Sequence, residues 1–390
     1  MSADGRYVVF SSYATDLVPG DVNGQRDVFV RDMVTGRTTL ASVGVDGAQG
    51  NGESRQGSIS ADGRFVAFSS NATNLVPGDT NDSPDVFVRD RRTGATSRVS
   101  ISIAGQADQG GGQPEISSDG RHVTFTSGAT NLVAGDTNDT QDVFVRDLDA
   151  GRTERVSVST GGLQSDGFST DSTISADGRF VAFVSASPTL APAPPPPPET
   201  LIFTYVHDRK TNTTRSVSHD VTADRRAVII ETSYPVIAAD GRFVVFTVIG
   251  WLGVGVDPIP NVWLRDLTTD RLELVTADRA GNPSSAVGPV FREDVSADGR
   301  YVAFGTPGRM TPADRGNLSD VFRLDRQTGS LVWITYRQEP ADPFGGIGSV
   351  GPAISADGNH VAFESDAVNL VRDGGAAGYD TYLWRSIRRP

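Results

Sequence analysis

Short stretches in which side chains alternate between two faces recur along all 390 residues, and no stretch sustains a 3.6-residue period. Residues 64–70, RFVAFSS, show the pattern, with Phe65, Ala67 and Ser69 alternating against Val66, Phe68 and Ser70. Successive side chains of a strand point to opposite faces, so this segment predicts a β-strand. Around it lie QGSIS (56–60), DVFVRD (85–90) and ATSRVSIS (95–102), each bounded by turn residues. Asp62-Gly63 closes the first hairpin and RRTG (91–94) the last. Glycine accepts positive φ there, and aspartate bonds back to its own turn. The pattern predicts four strands per unit and almost no helix.

The unit repeats. A tetrapeptide ending in Asp-Gly recurs with its aspartate at positions 4, 62, 119, 177, 240, 298 and 357, at spacings of 58, 57, 58, 63, 58 and 59 residues. Repeat boundaries fall near 1–50, 51–107, 108–165, 166–224, 225–284, 285–342 and 343–390. This tiling overrides the two or three domains that length alone would allow. A four-stranded antiparallel unit cannot bury both of its faces, and radial stacking of such units covers them. The expected fold is all-β: one domain, a seven-bladed β-propeller of four-stranded antiparallel blades. Counting strands, the first repeat begins at its second strand and the last stops after its third, YLWRSI (382–387). A seam without shared-strand closure is therefore expected between them, with further sequence upstream.

The segments ISADGRFVAF and DVFVRDxxTG resemble the WD40-like propeller repeats of the TolB type. The resemblance covers nearly the whole chain and implies a bacterial exported protein, periplasmic or extracellular. Two departures limit it. The Ser-Pro-Asp-Gly proline is absent, and the repeats are longer than those of TolB, whose N-terminal domain has no counterpart here. This repeat class serves scaffolds, binding proteins and the propeller domains of some peptidases, so the resemblance does not carry TolB's own role with it.

Charge narrows the partners. The net charge is -13 and the pI about 4.8, which disfavours nucleic acid and anionic membranes and favours cations. There is no cysteine, so disulfides and thiolate metal sites are excluded. The longest apolar stretch, residues 243–256, is interrupted by glycines and too short to span a bilayer as a helix. A water-soluble chain without membrane insertion is expected.

Strand parity sorts the loops. In an antiparallel blade the Asp-Gly and Thr-Gly turns share one face, and the long loops share the other, where a rigid scaffold most often carries function. A protein or polar ligand is expected on that long-loop face. Three of its loops share a constellation: Asp21, Asn23 and Asp27; Asp79, Asn81 and Asp85; Asp136, Asn138 and Asp142. Hard oxygens at the first, third and seventh places after a glycine suit Ca2+, with backbone carbonyls at Gln25, Ser83 and Thr140 and water completing a shell of roughly six to eight oxygens. The competing reading makes Asn an Asx turn and the second Asp a strand cap. Asp32, Asp90 and Asp147 lie a strand-length away and are assigned to the Thr-Gly turns. The later loops diverge, the fourth to ASPTLAPAPPPPPET (186–200), an expected polyproline II spacer.

Catalytic motifs are sparse. There is no G-x-S-x-G, phosphate loop or H-E-x-x-H. His122 and His360 take the place of Phe65, Phe180 or Tyr301 and read as packing residues, while His207 and His219 read as surface residues. The channel mouth is expected to collect Arg55, Glu115, Asp171, Tyr234, Arg292 and Glu293 in solvent, as a funnel for a polar ligand or sugar. The reading is a calcium-stabilised, non-catalytic binding or protein-interaction propeller. The alternative is a propeller hydrolase or lyase acting on a polar or carbohydrate substrate at the channel mouth.

Overall fold

The computed structural model describes residues 1–390 except 103, 192–201, 219–227, 252–258, 278–292, 308–309, 312–317, 337–347, 368–369, 371–379 and 387–390. Among the described residues it holds seven antiparallel sheets of three or four strands in chain order, one two-stranded ribbon and no helix, the architecture of a seven-bladed β-propeller. Two compact units divide the chain, Met1–Ala193 with Tyr205–Ser216, and Pro194–Thr204 with Val217–Pro390.

In the first unit, blade one is β1 (Tyr7–Ser12), β2 (Asp27–Asp32) and β3 (Arg37–Leu40). Blade two is β4 (Ser54–Ile59), β5 (Phe65–Ser70), β6 (Asp85–Asp90) and β7 (Ala95–Arg98). The segment expected as one strand over 95–102 is broken after Arg98, and its end, β8 (Ile101–Ser102), pairs with β9 (Gly105–Gln106) as a two-stranded ribbon. Blade three is β10 (Gly111–Ile116), β11 (His122–Ser127), β12 (Asp142–Asp147) and β13 (Arg152–Arg155). Blade four is β14 (Ser169–Ile174), β15 (Phe180–Ser185), β16 (Phe203–Asp208) and β17 (Thr213–Ser216), with Phe203 and Thr204 grouped in the second unit.

In the second unit, blade five is β18 (Val228–Ile237), β19 (Phe243–Trp251), β20 (Ile259–Asp266) and β21 (Leu272–Leu274). Blade six is β22 (Glu293–Val295), β23 (Tyr301–Thr306), β24 (Asp320–Asp325) and β25 (Ser330–Trp333). Blade seven is β26 (Ser349–Ile354), β27 (His360–Ser365) and β28 (Asp380–Arg385). Blades one and seven thus have three strands each among the described residues, as the strand count predicted.

The core lies between successive sheets. Val28 and Val30 of blade one pack with Ile59, Val66 and Phe68 of blade two. Val86 and Val88 pack in turn with Val123, Phe125 and Phe144 of blade three. Within blades, the second and third strands stack Phe on Phe, as in Phe68–Phe87 at 5.9 Å and Phe125–Phe144 at 5.7 Å.

The Asp-Gly turn does three things at once. Asp62 accepts from the Ser60 hydroxyl and the Arg64 amide, so the aspartate is a turn-former. Gly63 has φ +72°, and a Cβ there would come within 2.2 Å of the Tyr7 ring of the preceding blade. Arg64 forks onto Asp90 at 3.0 and 2.6 Å, joining this turn to the Thr-Gly turn of its own blade. Arg6–Asp32 and Arg121–Asp147 repeat the pair, which confirms the assignment of those aspartates to the Thr-Gly turns. His122 is buried as a packing residue, but His207 is only 3% exposed and not a surface residue. It lies within β16 and its Nδ1 meets the Thr214 hydroxyl at 2.8 Å. His219 and most of the proline segment lie outside the described residues.

Candidate functional site

The three loop constellations form. In the first, Asn23 makes the Asx turn, its Oδ1 accepting from the Gln25 amide, while its amide donates to Asp27 at 2.8 Å and to the Gly50 carbonyl. The residue after the asparagine sits in the left-handed region in each loop: Gly24, Asp82 and Asp139. The second aspartate is fully buried, and a serine hydroxyl of the fourth strand or just beyond bonds it: Ser42 to Asp27, Ser100 to Asp85, Ser157 to Asp142. Burial pushes the Asp85, Asp136 and Asp142 carboxyls up.

What lies between the paired carboxylates differs from loop to loop. In the first, the Gln49 amide donates to both Asp21 (2.7 Å) and Asp27 (2.9 Å). In the second, Gln106 does the same for Asp79 and Asp85, and Arg98 sits 3.4 Å from each. Two of the Arg98 guanidinium nitrogens, Nε and Nη2, lack hydrogen-bond geometry, so this contact is charge pairing rather than a fork. In the third, Arg155 takes the bridging place, 2.9 Å from Asp136 and 3.3 Å from Asp142. Strand register explains the difference, for Leu40 occupies opposite Phe29 the place that Arg98 and Arg155 occupy opposite Phe87 and Phe144. A guanidinium between two carboxylates repels a second cation. Among the described residues the first loop alone has its two carboxylates bridged by a neutral amide, without a basic partner.

These bridging residues escaped the sequence reading. A signal was present: Gln49 and Gln106 follow the first aspartate of their loops by 28 and 27 residues, as Gln164 follows Asp136 by 28. Gln164 bonds Thr137 instead, because Arg155 fills the gap.

The described residues expected at the channel mouth lie on first strands: Arg55 on β4, Glu115 on β10, Asp171 on β14, Tyr234 on β18 and Glu293 on β22. Five of the first strands, β4, β10, β14, β18 and β26, carry a bulge three residues before their terminal Ile, and the bulged residue is left-handed at Gln56, Gln113, Asp171, Tyr234 and Gly351. Asp171 and Tyr234 are two of these bulged residues, and Gln56 and Gln113, which the sequence pattern did not single out, are two more. In the first unit these residues are bonded from blade to blade. Gln56 Oε1 accepts from the Gln113 amide N–H at 2.9 Å, and Gln113 Nε2 donates to Asp171 at 2.6 Å. Thr170 and Thr126 hydroxyls donate to Gln113 Oε1. Arg55 is exposed and pairs with Glu53, while Glu115 is half-buried opposite Thr124. Glu293 corrects an expectation. It is 2% exposed, not in solvent, and accepts from the Thr247 hydroxyl of β19 at 3.1 and 3.2 Å, because β22 turns it toward blade five. Arg292 lies outside the described residues. Among the described residues, no three His, Asp or Glu side chains gather as a metal-binding group.

No protein-family profile matches the sequence, and no curated protein matches it. Solved structures do. An oligogalacturonate lyase from Vibrio parahaemolyticus aligns with TM-score 0.57 at 15% identity, over 98% of this chain and 87% of that one. The β-propeller domain of the Trilobed protease from Pyrococcus furiosus, described as having an open velcro topology, aligns with TM-score 0.52 at 14% identity, over 87% and 82%. TolB from Acinetobacter baumannii aligns with TM-score 0.46 at 13% identity, and this chain spans 63% of its length. Likenesses at this identity show the fold alone, and that fold is the β-propeller.

Proposed function

We propose that this chain is a non-catalytic β-propeller that binds a protein segment or another polar ligand on its long-loop face, outside the cytoplasm. The observation that carries the reading is the bonding of Gln56, Gln113 and Asp171 into one continuous line. A carboxylate held by an amide donor at 2.6 Å is positioned for recognition, whereas a general acid or base needs a free proton path. Calcium enters this reading at the first loop, with Asp21, Asn23 and Asp27 as ligands and Gln49 turning its amide oxygen inward, since calcium accepts amide and carboxylate oxygens alike. Loops two and three are neutralised by their own arginines.

The competing reading takes the lyase and protease likenesses as activity. Incubation with oligogalacturonides, glycosides, lactones and esters separates the two. Binding seen as a thermal shift, weakened by Gln113→Ala and without product, supports the scaffold. Turnover that disappears in Glu115→Gln or Asp171→Asn would replace it with the enzyme.

A further inference from the structure

Two fasteners join neighbouring blades in the first unit, and the junction between blades three and four carries histidine at both. The first fastener is the ring under the Asp-Gly glycine. Tyr7 lies under Gly63 and Phe65 under Gly120, but His122 lies under Gly178. The second is a clamp from the third and fourth strands onto a backbone carbonyl of the blade before. Arg89 and Thr96 clamp Gly44 and Val43, and Arg146 and Thr153 clamp Ile101. At blade four His207 replaces the arginine, and Thr214 alone reaches the Val158 carbonyl. With the Thr214 proton given to Val158, His207 Nδ1 must be the donor to Thr214, so Nδ1 carries a proton and Nε2 is the nitrogen left to titrate.

Arg209 acts electrostatically on both imidazoles. It binds Glu154 of blade three at 2.5 Å and the Gly178 carbonyl above His122. The charged groups facing His122 are Asp119 and Arg121 from its own hairpin, Asp147 at the end of β12 (3.7 Å) and Arg209 from blade four. Those facing His207 are Glu154 on β13 and its neighbours Asp208 and Arg209. Three of these carboxylates are already engaged, Asp147 by Arg121, Asp208 by Arg179 and Glu154 by Arg209 and Arg152, while Asp119 lies 4.0 Å from the His122 ring. The carboxylates facing a His207 imidazolium are already paired with arginines, and at His122 burial and Arg209 outweigh the pull of Asp119 and Asp147, so each imidazolium would repel Arg209. Arginines at the clamp avoid this by reaching outward to carbonyls, which an imidazole is too short to do.

We propose that the junction between blades three and four is an acid-opened seam, in which protonation of His122 and His207 repels Arg209 and releases its bonds to Glu154 and Gly178. Burial sets the window: it depresses both histidines, His207 to about 4, while Asp208 stays ionised down to about 2. The seam is closed above pH 6.5 and loosens as pH falls toward 4. What opens is a cleft of about 450 Å³ at the short-turn face, lined by Arg152, Glu154, Asp177, Arg179, Arg209 and Lys210.

Hydrogen exchange at pH 7.5 and 5.0, corrected for the intrinsic rates, tests this. Protection at 153–158 and 205–216 should fall tenfold or more at pH 5.0, while 37–43 and 86–96, at the junction of blades one and two, should change less than twofold. His122→Phe with His207→Arg installs the residues that other blades carry, and should keep the seam protected at pH 5.0. Equal loss at both junctions, or loss persisting in the double variant, would overturn the proposal. Where that variant does not fold, the wild-type contrast between junctions still decides.

Discussion

At the scale of the residue, the same carboxylate pair is held by three different donors. Removing Arg155 should leave Asp136 and Asp142 buried without a counter-charge. Breaking one side of a buried pair typically costs 3–5 kcal/mol, so Arg155→Leu should lower stability to urea by about 3 kcal/mol. The same substitution copies the first loop, where Leu40 already stands. If calcium belongs to that geometry, millimolar Ca2+ should raise the melting temperature of the wild type. Asp21→Ala with Asp27→Ala should remove the gain, and Asp79→Ala with Asp85→Ala should leave it. A wild type indifferent to Ca2+ would leave the loops as Asx turns.

At the scale of the element, the turns and clamps fix how blades meet. Gly63 and Gly20 both have positive φ, but a Cβ at Gly63 would strike Tyr7 and one at Gly20 meets nothing within 4 Å. Gly20→Ala should therefore cost only backbone strain, about 1 kcal/mol, and Gly63→Ala should cost about 2–3 kcal/mol more through the displaced ring. Chemical denaturation of the two variants separates the contributions. His207 supplies a pH dependence of stability at this scale. Its folded pKa lies below its unfolded one, so the unfolded chain binds the extra proton between pH 6.5 and about 4. Stability is then complete above pH 6.5 and falls by on the order of 1–3 kcal/mol across that window. His207→Arg should flatten the slope, since arginine does not titrate there.

At the scale of the whole molecule, similar sheets within each unit bury their apolar faces against their neighbours, and stability resides in those junctions as much as in the blades. A net charge of -13 governs long-range encounters. The protein should pass through heparin columns and fail to sediment with anionic vesicles at about 0.15 M salt, where binding through a cationic footprint would be retained. Retention on either would point to a local basic surface, the cleft at Lys210 first among them.

The repeat spacing and two-residue alternation sufficed for the blades, because strand and turn formation depend on neighbours within ten residues or so. The Asp-Gly turns, the Thr-Gly aspartates and the three-stranded first and last blades were legible for that reason. The Asx turns at Asn23 and Asn81, and the left-handed residues after Asn23, Asn81 and Asn138, were local too. What the tertiary structure decided came from residues one repeat or half a repeat apart. Gln49 reaching Asp21, Arg155 filling the third loop, Gln113 bonding Gln56 and Asp171, and Glu293 turning inward all depend on register and blade stacking. A sequence pattern states that a carboxylate exists, but its charge environment is set by whichever donor the next strand brings within 3 Å. Leu40 against Arg98 and Arg155 is one substitution in a four-residue strand, and only the fold gives it a meaning.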